Sequence, residues 1–215
     1  MKKMKKQSII VKDAIPYLAV LGLITAALYL IYPVLAIIPG ILLIFVAFFF
    51  RNPPRTIPVD EGVLISPADG RILDVSEITE DRFLQDKAIK VSIFLSVFNV
   101  HVNRCPISGE IKYRSYRPGK FLPAYKGHAS DINEKNYVGI ENSTMKIMVT
   151  QITGFIARRI VCWVNLGDRV ERGELFGLIK FGSCTEIIVP KNVEVLVKKG
   201  DKVVGGETVI GRIKI

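Results

Sequence analysis

Residues 14–50 carry no charged side chain. A run of about 37 uncharged, mostly apolar residues has no polar face to turn toward water, so it does not read as the surface helix of a soluble domain. A bilayer span takes about 20 such residues, so the stretch is long enough for two tight spans. Pro33 and the pair Pro39-Gly40 stand near its middle, where a helical hairpin turns. Lys2, Lys3, Lys5, Lys6 and Lys12 precede it, and Arg51 and Arg55 follow it. With both flanks basic, the positive-inside rule places both ends in the cytoplasm. The expectation is a membrane anchor over 1–52, with helices at about 14–32 and 34–50. The rest of the chain then lies on the cytoplasmic face of the cell membrane. Two other readings stand beside it. A signal peptide has a much shorter apolar core and a small-residue cleavage site. One tilted span followed by an interfacial segment also satisfies the composition.

The formal net charge of +10 suits an anionic partner, either nucleic acid or an anionic membrane surface. Basic residues do not alternate with aromatic ones in the manner that stacks bases, so the anchor tips the reading to membrane and away from nucleic acid. Cys105, Cys162 and Cys184 show no Cys-x-x-Cys spacing, which argues against a disulfide framework and against a zinc site; no metal is expected.

Pro53, Pro54 and Pro58 form a stiff linker. Beyond it, over 53–215, short β-type runs alternate with Gly, Asp and Asn. Strands are predicted at 63–65, 70–75, 88–94, 109–114, 137–140, 146–151, 161–164, 175–180, 185–189, 194–197 and 208–213. Two internal echoes organise this domain. Gly167-Asp168-Arg169-Val170-Glu171-Arg172-Gly173-Glu174 returns as Gly200-Asp201-Lys202-Val203-Val204-Gly205-Gly206-Glu207. Pro67-Ala68-Asp69-Gly70-Arg71-Ile72 is echoed by Pro106-Ile107-Ser108-Gly109-Glu110-Ile111. The first pattern sets glycines where a tight turn takes positive φ, with a valine between them pointing inward. It resembles the hairpins of lipoyl and biotinyl carrier domains. The expected fold is therefore mainly β, a barrel-sandwich-hybrid-like domain of repeated lipoyl-like hairpins behind the N-terminal transmembrane helical hairpin. The bland alternative is two similar hairpins. A carrier role is not expected, because no modifiable lysine stands at a hairpin tip beside Met or Ala. The segment 117–136 is polar, rich in turn residues and long for a structureless loop, as functional loops are.

Four places carry residues suited to chemistry. Asp69 lies in Ser66-Pro67-Ala68-Asp69-Gly70, where an ordinary Asp-Gly turn explains it equally well. His101 follows an apolar run and precedes Val102-Asn103-Arg104-Cys105-Pro106; it is either a core histidine satisfied by backbone or a proton-transfer group. His128 sits in the long loop, where solvent exposure is the default. The Gly182-Ser183 bond is flanked by β-type sequence that can hold a strained turn.

These pieces together resemble the short-form phosphatidylserine decarboxylases, self-processing pyruvoyl enzymes, over roughly residues 45–215. The likeness rests on Phe181-Gly182-Ser183 preceded by the Gly-Asp-x-Val-x-x-Gly-Glu hairpin, on Pro67-Ala68-Asp69-Gly70, on Leu95-Ser96 leading to Asn99-Val100-His101-Val102-Asn103-Arg104, and on Ala157-Arg158-Arg159-Ile160-Val161-Cys162-Trp163. The resemblance implies autocatalytic cleavage at Gly182-Ser183 into a beta chain, 1–182, and an alpha chain, 183–215. It implies a covalent pyruvoyl cofactor made from Ser183, which forms a Schiff base with the substrate amine. The substrate implied is an anionic serine phospholipid, phosphatidylserine or archaetidylserine, decarboxylated to the ethanolamine phospholipid. The chains of one precursor associate, and a homodimer of the processed pair is an open assembly. His101 and Asp69 are the implied catalytic partners of Ser183, with Asp69 orienting His101. Longer family members carry a second histidine three residues after the first; here Arg104 holds that place, which leaves the base for self-cleavage open. His128 and Arg104 are secondary candidates. Two other functions remain open on the sequence: a non-enzymatic membrane adaptor with a lipoyl-like domain, and a pyruvoyl decarboxylase of a free amino acid.

Overall fold

The computed structural model describes residues 8–122, 132–154, 159–180 and 183–214. His128 and Gly182 lie outside the described residues, as does the middle of the long loop. The chain divides into two compact units, Met1–Pro54 and Arg55–Ile215.

In the first unit, helix α1 runs Ile15–Ile31 and helix α2 runs Ile37–Phe49, with a 3-10 turn over Pro33–Ala36 between them. The break falls where proline chemistry demands it. Tyr32, just before Pro33, has extended backbone. The pyrrolidine ring excludes the helical region for the residue that precedes it. Pro39 instead sits in the first turn of α2, where its missing N–H removes no helical bond. The turn therefore uses Pro33 and leaves Pro39-Gly40 within the helix. The chain closes on itself at the open end. Val11 N–H donates to the Phe50 carbonyl at 3.1 Å, and Asn52 N–H donates to the Ile9 carbonyl at 2.6 Å. One stretch, Lys12–Ile31, is long and apolar enough to cross a membrane; the Pro33–Phe49 stretch is shorter. The helices expected at about 14–32 and 34–50 appear as α1 and the shorter α2. Leu23 and Leu30 of α1 are largely exposed, unlike core leucines.

The second unit is mainly β. Its strands are β1 (Val63–Ile65), β2 (Gly70–Glu80), β3 (Asp86–Leu95), β4 (Val102–Arg104), β5 (Gly109–Arg117), β6 (Lys135–Glu141), β7 (Lys146–Ile152), β8 (Arg159–Cys162), β9 (Arg169–Val170), β10 (Leu175–Lys180), β11 (Ser183–Pro190), β12 (Val193–Val195), β13 (Lys202–Val203) and β14 (Val209–Ile213). The largest sheet has the order β13-β2-β3-β11-β7-β6-β5-β9, and its strand pairs are antiparallel. Two three-stranded sheets, β1-β14-β12 and β4-β10-β8, complete the described fold.

The sequence echoes become structural echoes. The short strands of the two Gly-Asp repeats, β9 and β13, form the two opposite edges of the largest sheet. Each pairs with the matching copy of the second echo: Val203 faces Gly70 and Val170 faces Gly109. The backbone bonds repeat as well. Ile72 N–H donates to Asp201 O and Ile111 N–H to Asp168 O, both at 2.9 Å. Gly173 and Gly206 occupy the same place in the repeat at φ +84° and +88°. That region costs any residue with a Cβ. At Gly206 an added Cβ would also come 2.8 Å from Cδ of Arg104.

Alternation fixes what lies on each side of the sheet. The inner face presents Val91, Ile93 and Leu95 of β3, Ile187 and Val189 of β11, Ile147 and Val149 of β7, and Val138 and Ile140 of β6, all buried in one core cluster. The opposite face carries a smaller cluster around Ala88, Tyr137, Met148 and Ile188.

Candidate active site

The inner face is apolar for most of its length and polar at one end. Continuing the same parity along the strands gives Ser183 and Thr185 on β11, Gln151 on β7 with Thr153 just beyond it, and Asn136 on β6. Thr185 pairs with Gln151, and Gln151 with Asn136, so their side chains are neighbours across three strands. All five residues are buried.

Amide side chains tie this end together. Asn136 Nδ2 donates to Gln151 Oε1 at 2.8 Å, and Gln151 Nε2 donates to Asn103 Oδ1 at 2.9 Å. Asn103 Nδ2 donates in turn to Thr185 Oγ1 at 3.1 Å and to the Pro67 carbonyl at 3.4 Å. The chain has room because residue 177 is glycine: a Cβ there would come 2.7 Å from Gln151 Nε2. Buried amides cost free energy unless their donors and acceptors are met, and here they are met by one another. The result is a rigid link between three segments far apart in sequence: the one carrying Asp69, the one carrying His101 and the one that begins with Ser183. None of these amides stood out in the sequence. The signal was a polar residue at an inward position of an apolar strand, as Gln151 is after Ile147 and Val149. Gln151→Leu leaves Asn103 Oδ1 and Asn136 Nδ2 without partners, with an expected loss of about 2–5 kcal/mol, read from denaturant unfolding of the purified protein.

Ser183 is fully buried, and its Oγ has no hydrogen-bond partner among the described residues. An orphaned buried hydroxyl is costly and calls for an explanation. His101 is also fully buried. Its carbonyl accepts from Ile179 N–H at 3.2 Å, near the end of β10 and four positions before Ser183 in the chain. Its ring Nδ1 lies 2.9 Å from the Asn99 carbonyl. A carbonyl only accepts, so Nδ1 carries a proton and donates to it.

Asp69 belongs to a group of charges. Nη2 of Arg55 bonds both of its carboxylate oxygens, at 3.0 and 2.9 Å, and Gly205 N–H donates to Oδ1 at 2.7 Å. Glu207 lies 4.0 Å from Arg55 Nη1 and accepts from Thr56 N–H at 2.8 Å. Arg104 stands close by with its guanidinium on the Gly173 carbonyl at 2.9 Å. Burial, and then the neighbouring charge of Arg55, lower its pKa to about 10, so it keeps its charge at neutral pH. Its backbone N–H donates to Pro67 O at 2.9 Å, which ties the Asp69 turn to the His101 strand.

Cys184, next to Ser183, points to the other face. Burial, and then Glu186, push its thiol well above the ordinary range, so it is not a thiolate nucleophile. Iodoacetamide at pH 8 is expected to leave Cys184 unmodified in the folded protein and to modify it after denaturation, as read by peptide mass mapping. Among the described residues no group of His, Cys, Asp and Glu could hold a metal ion.

Residues 42–211 match the family model for phosphatidylserine decarboxylase. Three curated relatives carry the name phosphatidylserine decarboxylase proenzyme. The one from Carboxydothermus hydrogenoformans is 56% identical over 98% of this chain and its own whole length. The one from Symbiobacterium thermophilum is 47% identical over 97% of each chain. The one from Syntrophus aciditrophicus is 45% identical over 97% of this chain and 99% of its own. Likeness of this extent, running through the strands that carry Asp69, His101 and Ser183, means that the chain belongs to the phosphatidylserine decarboxylase family, a family of carboxy-lyases.

Proposed function

We propose that this chain cleaves itself at Gly182-Ser183 and then decarboxylates a serine phospholipid, phosphatidylserine or its archaetidyl counterpart. The observation that carries the reading is the orphaned Ser183 Oγ, buried at the polar end of the inner face. A hydroxyl that bonds nothing among the described residues is available for the adjacent amide. Its oxygen adds to the Gly182 carbonyl carbon, the C–N bond breaks, and the hydroxyl proton ends on the freed nitrogen of residue 183. The resulting ester loses the Gly182 carboxylate as the Cα proton is removed. Water then hydrolyses the remaining dehydroalanine, releasing ammonia and leaving a pyruvoyl cap on residue 183. That cap supplies a carbonyl electron sink for the amine-bearing carbon that loses CO2.

The protein's own groups do the rest. His101, held by Asn99 through Nδ1, takes and returns a proton at Nε2. Asp69 offsets the charges of Arg55 and Arg104 and ties its turn to the Gly205 turn. The amide chain through Asn103 and Gln151 keeps the His101 and Ser183 segments in register. After cleavage β11 remains an inner strand, paired from Ser183 to Pro190 with β3 and from Cys184 to Ile188 with β7, so the two chains stay associated without a covalent bond. The matched turns and edge strands of the repeats support the barrel-sandwich reading. The exposed apolar helix α1 and the basic flanks support a membrane anchor with the β domain on the cytoplasmic side, beside its anionic substrate.

The test is turnover. The purified protein in mixed micelles with phosphatidylserine releases CO2 and forms phosphatidylethanolamine, and hydride reduction beforehand abolishes both. Turnover that survives hydride contradicts a carbonyl prosthetic group, and turnover of free serine in preference to the lipid favours the free-amino-acid reading.

A further inference from the structure

The outer face of the largest sheet, opposite Ser183, carries a polar cavity of about 380 Å3. Its lining carries the cations Arg82, Lys90, Arg117 and Lys135 beside the carboxylates of Glu80, Asp81 and Glu186. The turn after β2 is fixed by Glu80, whose carboxylate accepts from the N–H groups of Arg82, Phe83 and Leu84 at 2.9, 2.8 and 2.7 Å. That carboxylate is occupied by backbone and sets Arg82 over the Tyr137 ring, 4.8 Å from its centre. From β5, Arg117 lines the same cavity as Tyr137. From β6, Lys135 adds a third cation 5.9 Å from the same ring. Neither Arg82 nor Arg117 has a carboxylate within ion-pair distance among the described residues. The carboxylate on the cavity floor, Glu186, lies 3.8 Å from Lys90 and accepts from Ser92 Oγ at 3.4 Å. Beside it on the floor stands Thr150, fully buried, with no partner for Oγ1 among the described residues.

We propose that this cavity is a second ligand site that takes a phosphate-class anion between Arg82, Arg117 and Lys135, with the Thr150 hydroxyl as the deep donor. Two guanidinium forks match a tetrahedral oxyanion, and a neutral hydroxyl completes its coordination without adding charge. The site is distinct from the reaction centre. Thr150, Tyr137 and Glu186 point to one face of the sheet, Ser183 and Thr185 to the other, so an anion held here does not reach the scissile bond. The same chemistry serves a phospholipid headgroup or free phosphate.

The experiment is calorimetric titration of the full-length protein in a zwitterionic detergent with two probes, inorganic phosphate and dihexanoyl phosphatidylglycerol. The wild type is expected to bind at least one of them saturably. Binding of the lipid alone supports the site with a headgroup as its source; binding of phosphate supports it with a free anion. The double variant Arg82→Gln/Arg117→Gln weakens binding at least about tenfold, and Thr150→Val weakens it about threefold or more. Both variants retain phosphatidylserine turnover, since they alter the far face of the sheet. No saturable binding of either probe, or wild-type affinity in either variant, overturns the proposal. Loss of the main catalytic reading is read separately, by wild-type turnover.

Discussion

Ser183→Ala remains one uncut chain of 215 residues and decarboxylates no lipid. The expectation follows from what alanine removes. In the proposed mechanism the buried Oγ of Ser183 is the nucleophile next to Gly182, and alanine offers no atom that can add to that carbonyl. Nothing else nearby replaces it. The neighbouring thiol, Cys184, points to the opposite face and is kept protonated by burial. Because the orphaned hydroxyl costs stability in the folded precursor, the alanine variant is also expected to be no less stable than the precursor, and about 1 kcal/mol more stable where the desolvation penalty is relieved. Denaturing electrophoresis gives the chain count, and denaturant unfolding gives the stability. Wild-type processing in this variant would remove Ser183 from the mechanism.

His101→Ala is expected to lose at least about a hundredfold in phosphatidylserine turnover, the usual consequence of deleting a positioned general acid or base. His101 is fully buried, and its ring Nδ1 is held by the Asn99 backbone carbonyl. The Ser96-Asn99 turn makes that carbonyl dependable: Asn99 Oδ1 accepts from both the N–H and the hydroxyl of Ser96 at 2.9 Å. Comparing processing with turnover in the same variant separates the two roles. A variant that is cut but does not turn over lipid assigns His101 to decarboxylation alone, and one that is not cut assigns it to self-cleavage, without which no carbonyl forms. Normal processing together with normal turnover contradicts any catalytic part for this residue.

Much of this arrangement was legible before the structure. The two Gly-Asp repeats were visible as a spaced pattern, and they fold as matched turns with short edge strands because glycine at positive φ and an inward valine leave few other conformations. The predicted strands at 63–65 and 175–180 coincide with β1 and β10, while those at 70–75 and 88–94 are shorter than β2 and β3. Strand ends escape a pattern reading because polar residues such as Glu77 and Lys87 continue a half-exposed strand without an apolar signal. Strands β4, β9 and β13 were missed for a related reason. Each is two or three residues long and exists by tertiary pairing, not by local propensity.

The site was half legible. Ser183, His101 and Asp69 were picked out by residue type and by their place in short motifs. The bonds that position them were not. That Asp69 is held by Arg55 and Gly205 depends on chain segments 14 and 136 residues away in sequence. That Gln151 joins Asn103 to Asn136 depends on strand register, which a single sequence does not reveal.

The most direct test of the central claim is the intact mass of the purified wild-type protein before and after hydride treatment. The account predicts two polypeptides, one ending at Gly182 and one beginning at residue 183 with a blocked, reducible pyruvoyl cap that gains two hydrogens on treatment. A single polypeptide of full-length mass, unchanged by hydride, would contradict it.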